Sequence, residues 1–99
     1  MEYDSRTKYA TLGKWNLMKK LGSGATSRVY LGYEPITKKY AAIKVLKRLE
    51  PKYLEMVKNE VKLQSSLVHP NILAIQDFHE AIVLTDAEDK IQTVTAIVL

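Results

Sequence analysis

Cysteine is absent from this 99-residue chain. That removes disulfides and thiolate metal sites, and it fits a reducing compartment. Glycine is held to four residues and proline to three, and no internal repeat or low-complexity segment is evident. No apolar run approaches the roughly eighteen residues needed to span a membrane. The start, Met1-Glu2-Tyr3-Asp4-Ser5, is acidic and lacks an apolar signal core, and Glu2 excludes N-myristoylation. The expectation is a cytoplasmic protein without a membrane partner. Aromatic residues are few, with one Trp, one Phe and six Tyr. They form no clear base-stacking motif, so nucleic acid is not the expected partner despite a basic first half.

What is present looks globular. Apolar residues make up 46% and charged residues 26%, unlike a disordered tail. A chain of this size buries roughly 60–70% of the surface its unfolded form exposes, enough for one modest core. The net charge of +4 is uneven: residues 1–50 carry 11 basic and 4 acidic side chains, residues 51–99 carry 4 and 7. The excess sits with the glycines. An anionic ligand would suit it, although a basic solvated face is the commoner reason for such a bias.

Residues 1–12 have no clear periodicity and read as a tail. Trp15, Leu17 and Leu21 then alternate with polar residues, as do Val29, Leu31 and Tyr33, which predicts a hairpin around Gly22-Ser23-Gly24. Glu34-Pro35-Ile36-Thr37-Lys38 predicts a turn. Tyr40 to Leu46 is β-compatible. Leu54, Val57 and Val61, extended by Leu63 and Leu67, recur at helical spacing behind Pro51 at the first helical position. Pro70 pushes His69 to an extended conformation and closes the helix. Strands are expected over Ile72–Leu84 and Ile91–Leu99, joined by a turn at Asp86-Ala87-Glu88-Asp89. The order β-β-β-α-β-β predicts an α+β fold, a five-stranded antiparallel sheet with one packed helix.

A Gly-x-Gly pair by itself is usually a structural turn. Here Val29-Tyr30-Leu31 continues as strand, which speaks against a dinucleotide-binding loop, where a helix should follow. A Gly-Lys-Ser/Thr phosphate loop is absent. What remains is a strand-loop-strand flap, Leu21-Gly22-Ser23-Gly24-Ala25-Thr26-Ser27-Arg28-Val29, with Ala41-Ala42-Ile43-Lys44 on the next strand. Period-2 geometry puts Ala42 and Lys44 on one face of that strand. Glu60 lies on the helical pattern, followed nine residues later by His69-Pro70-Asn71. Together these segments resemble the small, ATP-binding lobe of the eukaryotic protein kinase family, and in general features its serine/threonine type.

The resemblance covers residues 13–99, so residues 1–12 are expected as an N-terminal tail and 13–99 as a partial kinase domain that stops before the hinge. It implies that Leu21 and Val29 cover an adenine and that the turn from Gly22 through Ser23, Gly24, Ala25, Thr26 and Ser27 cradles phosphates. Ser27 stands where the third glycine usually is. Ala42 would leave room for the base, Lys44 would reach the α- and β-phosphates, and Glu60 would pair with Lys44. Leu99 falls at the residue guarding the back of the adenine pocket. His69 would be a structural anchor. Gln64 departs from the family, which has Leu or Met there, and predicts a less stable active position of the helix.

The family's phosphoryl transfer requires a His-Arg-Asp base and an Asp-Phe-Gly metal ligand. Asp77-Phe78 is followed by His79 and is a chance dipeptide. The expected ligand is ATP, with Mg²⁺ expected only alongside the missing large lobe, and the chain by itself should be inactive. The parent would phosphorylate protein Ser/Thr hydroxyls. A protein partner could cover the face formed by Leu21, Val29, Ala42 and Leu99. The competing reading is a non-catalytic, kinase-like nucleotide-sensing or scaffold module.

Overall fold

A computed structural model describes residues 2–47, 50–66 and 75–99. The elements are β1 (Ala10–Leu12), β2 (Trp15–Ser23), β3 (Ser27–Glu34), β4 (Lys39–Leu46), α1 (Pro51–Ser66), β5 (Asp77–Thr85) and β6 (Ile91–Val98). The strands pair in the order β1-β2-β3-β4-β6-β5 and close into a barrel. Every pairing is antiparallel.

This corrects the expected α+β arrangement of a five-stranded sheet with one packed helix. Six strands close on themselves, and the helix stands outside them. Val57 is the one buried side chain among its described residues. The closing element is β1, three residues within the segment 1–12 expected as a tail. It pairs with β2 through Leu12↔Trp15 and with β5 through Leu12↔Leu84. It therefore occupies two edges that would otherwise present unpaired backbone groups. Gly13, at φ +55°, allows the two-residue turn into β2. More of the supposed tail is docked as well. Tyr3 stacks on Tyr33 with ring centroids 4.4 Å apart, and its hydroxyl accepts a hydrogen bond from Asn16 Nδ2 at 3.0 Å.

The core follows from alternation. Ala41, Ile43 and Val45 point into the barrel beside Leu12, Trp15, Leu17, Leu84, Val94, Ala96 and Val98. Fully burying a side chain such as Ile43 or Val98 contributes about 1.5–3 kcal/mol. The opposite face of β4 is covered differently. Leu46 and Ile97 form a second, smaller cluster with Val57 of α1, flanked by Ile75, Phe78 and Leu99. Of the strand expected over Ile72–Leu84, β5 spans Asp77–Thr85, and Ile75 and Gln76 precede it outside any strand; residues 72–74, like His69, Pro70 and Asn71, lie outside the described residues.

Candidate functional site

The site begins with the irregularity of β2. Its pairing with β3 slips between Leu17 and Lys19 and again between Lys20 and Gly22. Each slip inserts one extra residue, Met18 and then Leu21, and a bulge bends the strand and increases its twist. Leu21, in the second bulge, is left 52% exposed. Beyond it the Gly22↔Val29 and Ser23↔Arg28 pairs finish the ladder, and the Gly24 N–H donates to the Ser27 carbonyl at 2.8 Å to close the turn.

The register assembles five of the expected residues, Gly22, Val29, Ala42, Lys44 and Leu99, on or beside one face. Val29 pairs with Gly22 on one side and with Lys44 on the other, and Leu31 pairs with Ala42. Lys44 continues the row to Ile97 of β6. Cross-strand partners share a face, so Gly22, Val29, Lys44 and Ile97 form one row, with Ala42 beside it. This is the outer side of the barrel, since the alternate residues Ile43 and Val45 are in the core. Leu99 joins at its edge. Its N–H donates to the Ala42 carbonyl at 2.9 Å, and its carbonyl accepts from Gln76 Nε2 at 3.1 Å.

The residues of the turn differ from one another. Gly22, Ser23, Gly24 and Ala25 are exposed, Thr26 is half-buried, and Ser27 is buried. Ser27 pairs with Leu46, on the side of the sheet that meets α1. Val29, Ala42, Lys44 and Leu99 are each half-buried. Among the described residues Lys44 has no ion-pair or hydrogen-bond partner. Glu60 and Gln64 lie on α1, but their side chains are outside the described residues.

The four glycines fall into two kinds. A Cβ on Gly32 would strike the Ile43 Cδ1 and come within 3.3 Å of Trp15 Cε3, while one on Gly13 would lie 2.9 Å from Ile82 Cδ1. Both positions therefore favour glycine, Gly13 also through its positive φ. A Cβ on Gly22 or Gly24 would meet nothing within 4 Å. The fold has no steric need for glycine there, so the open backbone of the turn faces unfilled space.

The sequence pattern did not single out Lys47, at the exit of β4. Its ammonium donates to the Gly24 carbonyl at 2.7 Å and to Ser23 Oγ at 3.0 Å, and its backbone N–H donates to the Thr26 carbonyl at 2.7 Å. A signal was available: Lys47 follows the last strand residue, where antiparallel pairing must bring β4 back to the start of β3.

No group of three or more His, Asp or Glu side chains that could hold a metal ion occurs among the described residues. Also among them, no helix is long and apolar enough to cross a membrane.

Comparison with known proteins identifies the family. The family model described as protein kinase domain matches residues 15–97. The serine/threonine-protein kinase ATG1 of Gibberella zeae is 36% identical over 72 residues, which cover 71% of this chain and 8% of that protein. The probable serine/threonine-protein kinase MARK-A of Dictyostelium discoideum is 35% identical over 77 residues, covering 75% and 7%. Calcium/calmodulin-dependent protein kinase type II of Schizosaccharomyces pombe is 35% identical over 74 residues, covering 73% and 15%. The chain thus spans 15% or less of the length of each of these relatives. With the family model matching residues 15–97, which include the glycine turn and the Ala-Ile-Lys strand, this chain belongs to the protein kinase domain family.

Proposed function

We propose that this chain is the ATP-binding part of a protein kinase, the whole protein transferring the γ-phosphoryl group of ATP to protein serine or threonine hydroxyls. The observation that carries the reading is the pair of sterically unneeded glycines: Gly22, on the same row as Val29 and Lys44, and Gly24 in the turn just beyond it. Backbone without Cβ atoms lets a phosphate approach the N–H groups closely. Lys44 adds a positive charge two residues from Ala42, whose small side chain leaves space for a flat base. Bound ATP would supply the transferable phosphoryl group. The chain's own residues hold the base and phosphates through Leu21, Val29, Ala42 and Leu99, the turn from Gly22 to Ser27, and Lys44.

Glu60 is the proposed partner of Lys44. It follows Val57 by three residues on α1, and helical spacing places those two positions on one stripe. Val57 meets Leu46 and Ile97 on the face of the sheet that carries Lys44. Mg²⁺ is expected only with the remainder of a complete kinase domain. The assignment of residues 13–99 to a partial domain, a protein partner over the exposed Leu21 edge and a cytoplasmic site belong to the same proposal. In the whole protein, Gln64→Leu is expected to raise kinase activity, and unchanged activity would remove that part of it.

The test titrates ATP and adenosine into the full chain and into Lys44→Met. Tight ATP binding that weakens in Lys44→Met, with adenosine binding kept and the folded spectrum unchanged, is the expected result. A folded chain that binds neither ligand would replace this reading with the scaffold module.

A further inference from the structure

The turn from Gly22 to Thr26 has little to hold it. Its first four residues are exposed, and nothing packs where a side chain on Gly22 or Gly24 would be. Position must come from polar contacts, and three of those described come from a single residue. The Lys47 ammonium holds the entering limb at Ser23 and Gly24, and the Lys47 backbone N–H holds the leaving limb at Thr26. The neighbouring cation takes no part: Arg28 Nε is buried without a hydrogen-bond partner among the described residues.

One of these contacts sets the direction of a peptide group. The Gly24 carbonyl accepts from Lys47 Nζ at 2.7 Å. Among the described residues no peptide bond is cis, and in a planar trans peptide the C=O and the following N–H point opposite ways. The Ala25 N–H is therefore turned away from Lys47. Ser23, the other acceptor of the ammonium, is one residue past the Gly22↔Val29 pair and so lies on the opposite face from Val29 and Lys44. The Ala25 N–H is aimed toward the Val29 and Lys44 face, and it has no partner among the described residues.

We propose that Lys47 is a positioning residue for phosphate binding: its ammonium fixes the Gly24–Ala25 peptide so that the Ala25 N–H presents to the phosphates of a nucleotide on the Lys44 face. This rests on the ATP-binding reading above. Lys47 itself stays on the far side of the hairpin and does not touch the ligand. Its effect should follow phosphate and not base.

The experiment compares ATP with adenosine on the full chain, Lys47→Met and Lys47→Arg, and follows amide hydrogen exchange at Gly24. In Lys47→Met, ATP affinity should fall by about three- to tenfold, the size expected for one or two exposed hydrogen bonds. Adenosine affinity should stay the same, and Lys47→Arg should recover most of the loss because it keeps donors at that place. Exchange at the Gly24 amide should quicken in Lys47→Met alone. Equal loss of ATP and adenosine would make Lys47 merely structural and overturn the proposal, as would unchanged ATP affinity. A wild-type chain that binds no ATP would defeat the functional reading. Exchange would then still decide whether Lys47 holds the turn, and an unaltered Gly24 rate would dismiss the latch itself.

Discussion

The two turns that bound β3 are built on opposite principles. At one end, Glu34 is only 3% exposed, and its carboxylate accepts hydrogen bonds from both the backbone N–H and the hydroxyl of Thr37. Tyr33 and Tyr40 pack beside it with centroids 4.8 Å apart, and Lys38 takes φ 58° to complete the reversal. That turn satisfies itself. At the other end, the Gly22–Thr26 turn has open space around its glycines and takes its fixed contacts from Lys47. Residue types at the first turn follow from the fold. At the second they do not, and that is where a ligand-based explanation is needed.

The contrast can be broken by substitution. The largest effect is expected for Gly32→Ala, on the strand between the two turns. Its new Cβ would collide with the Cδ1 of Ile43, whose side chain is fully buried. Overpacking of this kind costs about 1–3 kcal/mol, read as a lowered denaturation midpoint; an unchanged midpoint would mean that the barrel yields at Ile43. A smaller effect is expected at Glu34. The Thr37 hydroxyl, and then the Thr37 backbone N–H, hold its carboxyl below the usual value for a glutamate. A lowered folded pKa stabilises the protein above the ordinary carboxylate range and loses that contribution as the pH falls through the lowered value. Wild type should therefore exceed Glu34→Gln in thermal midpoint at neutral pH, and the gap should close on acidification. A gap independent of pH would remove the charge from the explanation. The smallest effect on stability is expected for Gly24→Ala, within about 0.5 kcal/mol, because no contact is made or lost. The same variant should weaken ATP binding. If it unfolds the chain and spares binding, the two turns are alike after all.

The strands and helix were readable where their periods were long. Trp15 to Leu21, Val29 to Tyr33 and Tyr40 to Leu46 alternate over enough residues to announce themselves, and all lie in observed strands. The three residues of β1 are too few to show alternation, although Gly13 between Leu12 and Trp15 was a usable hairpin signal. The row from Gly22 through Val29 to Lys44 was legible in part. Alternation places Ala42 and Lys44 together, but the bulges at Met18 and Leu21 alter the phase of β2 and cannot be read from composition. Lys47 was marked only by its place, where β4 returns to the start of β3, because an exposed lysine after a strand is otherwise ordinary.

The residues alone determined membership of the protein kinase family, the glycine turn, and the side of β4 on which Lys44 stands, because motif and alternation are local properties of the chain. Tertiary structure decided the closure of the barrel, the burial of Ser27 and Glu34, and the grip of Lys47 on the turn. The barrel closure and the grip on the turn join groups far apart in sequence, Leu12 with Leu84 and Lys47 with Gly24. Such contacts depend on register and on the competition for a shared interior, which become defined only when the strands have met.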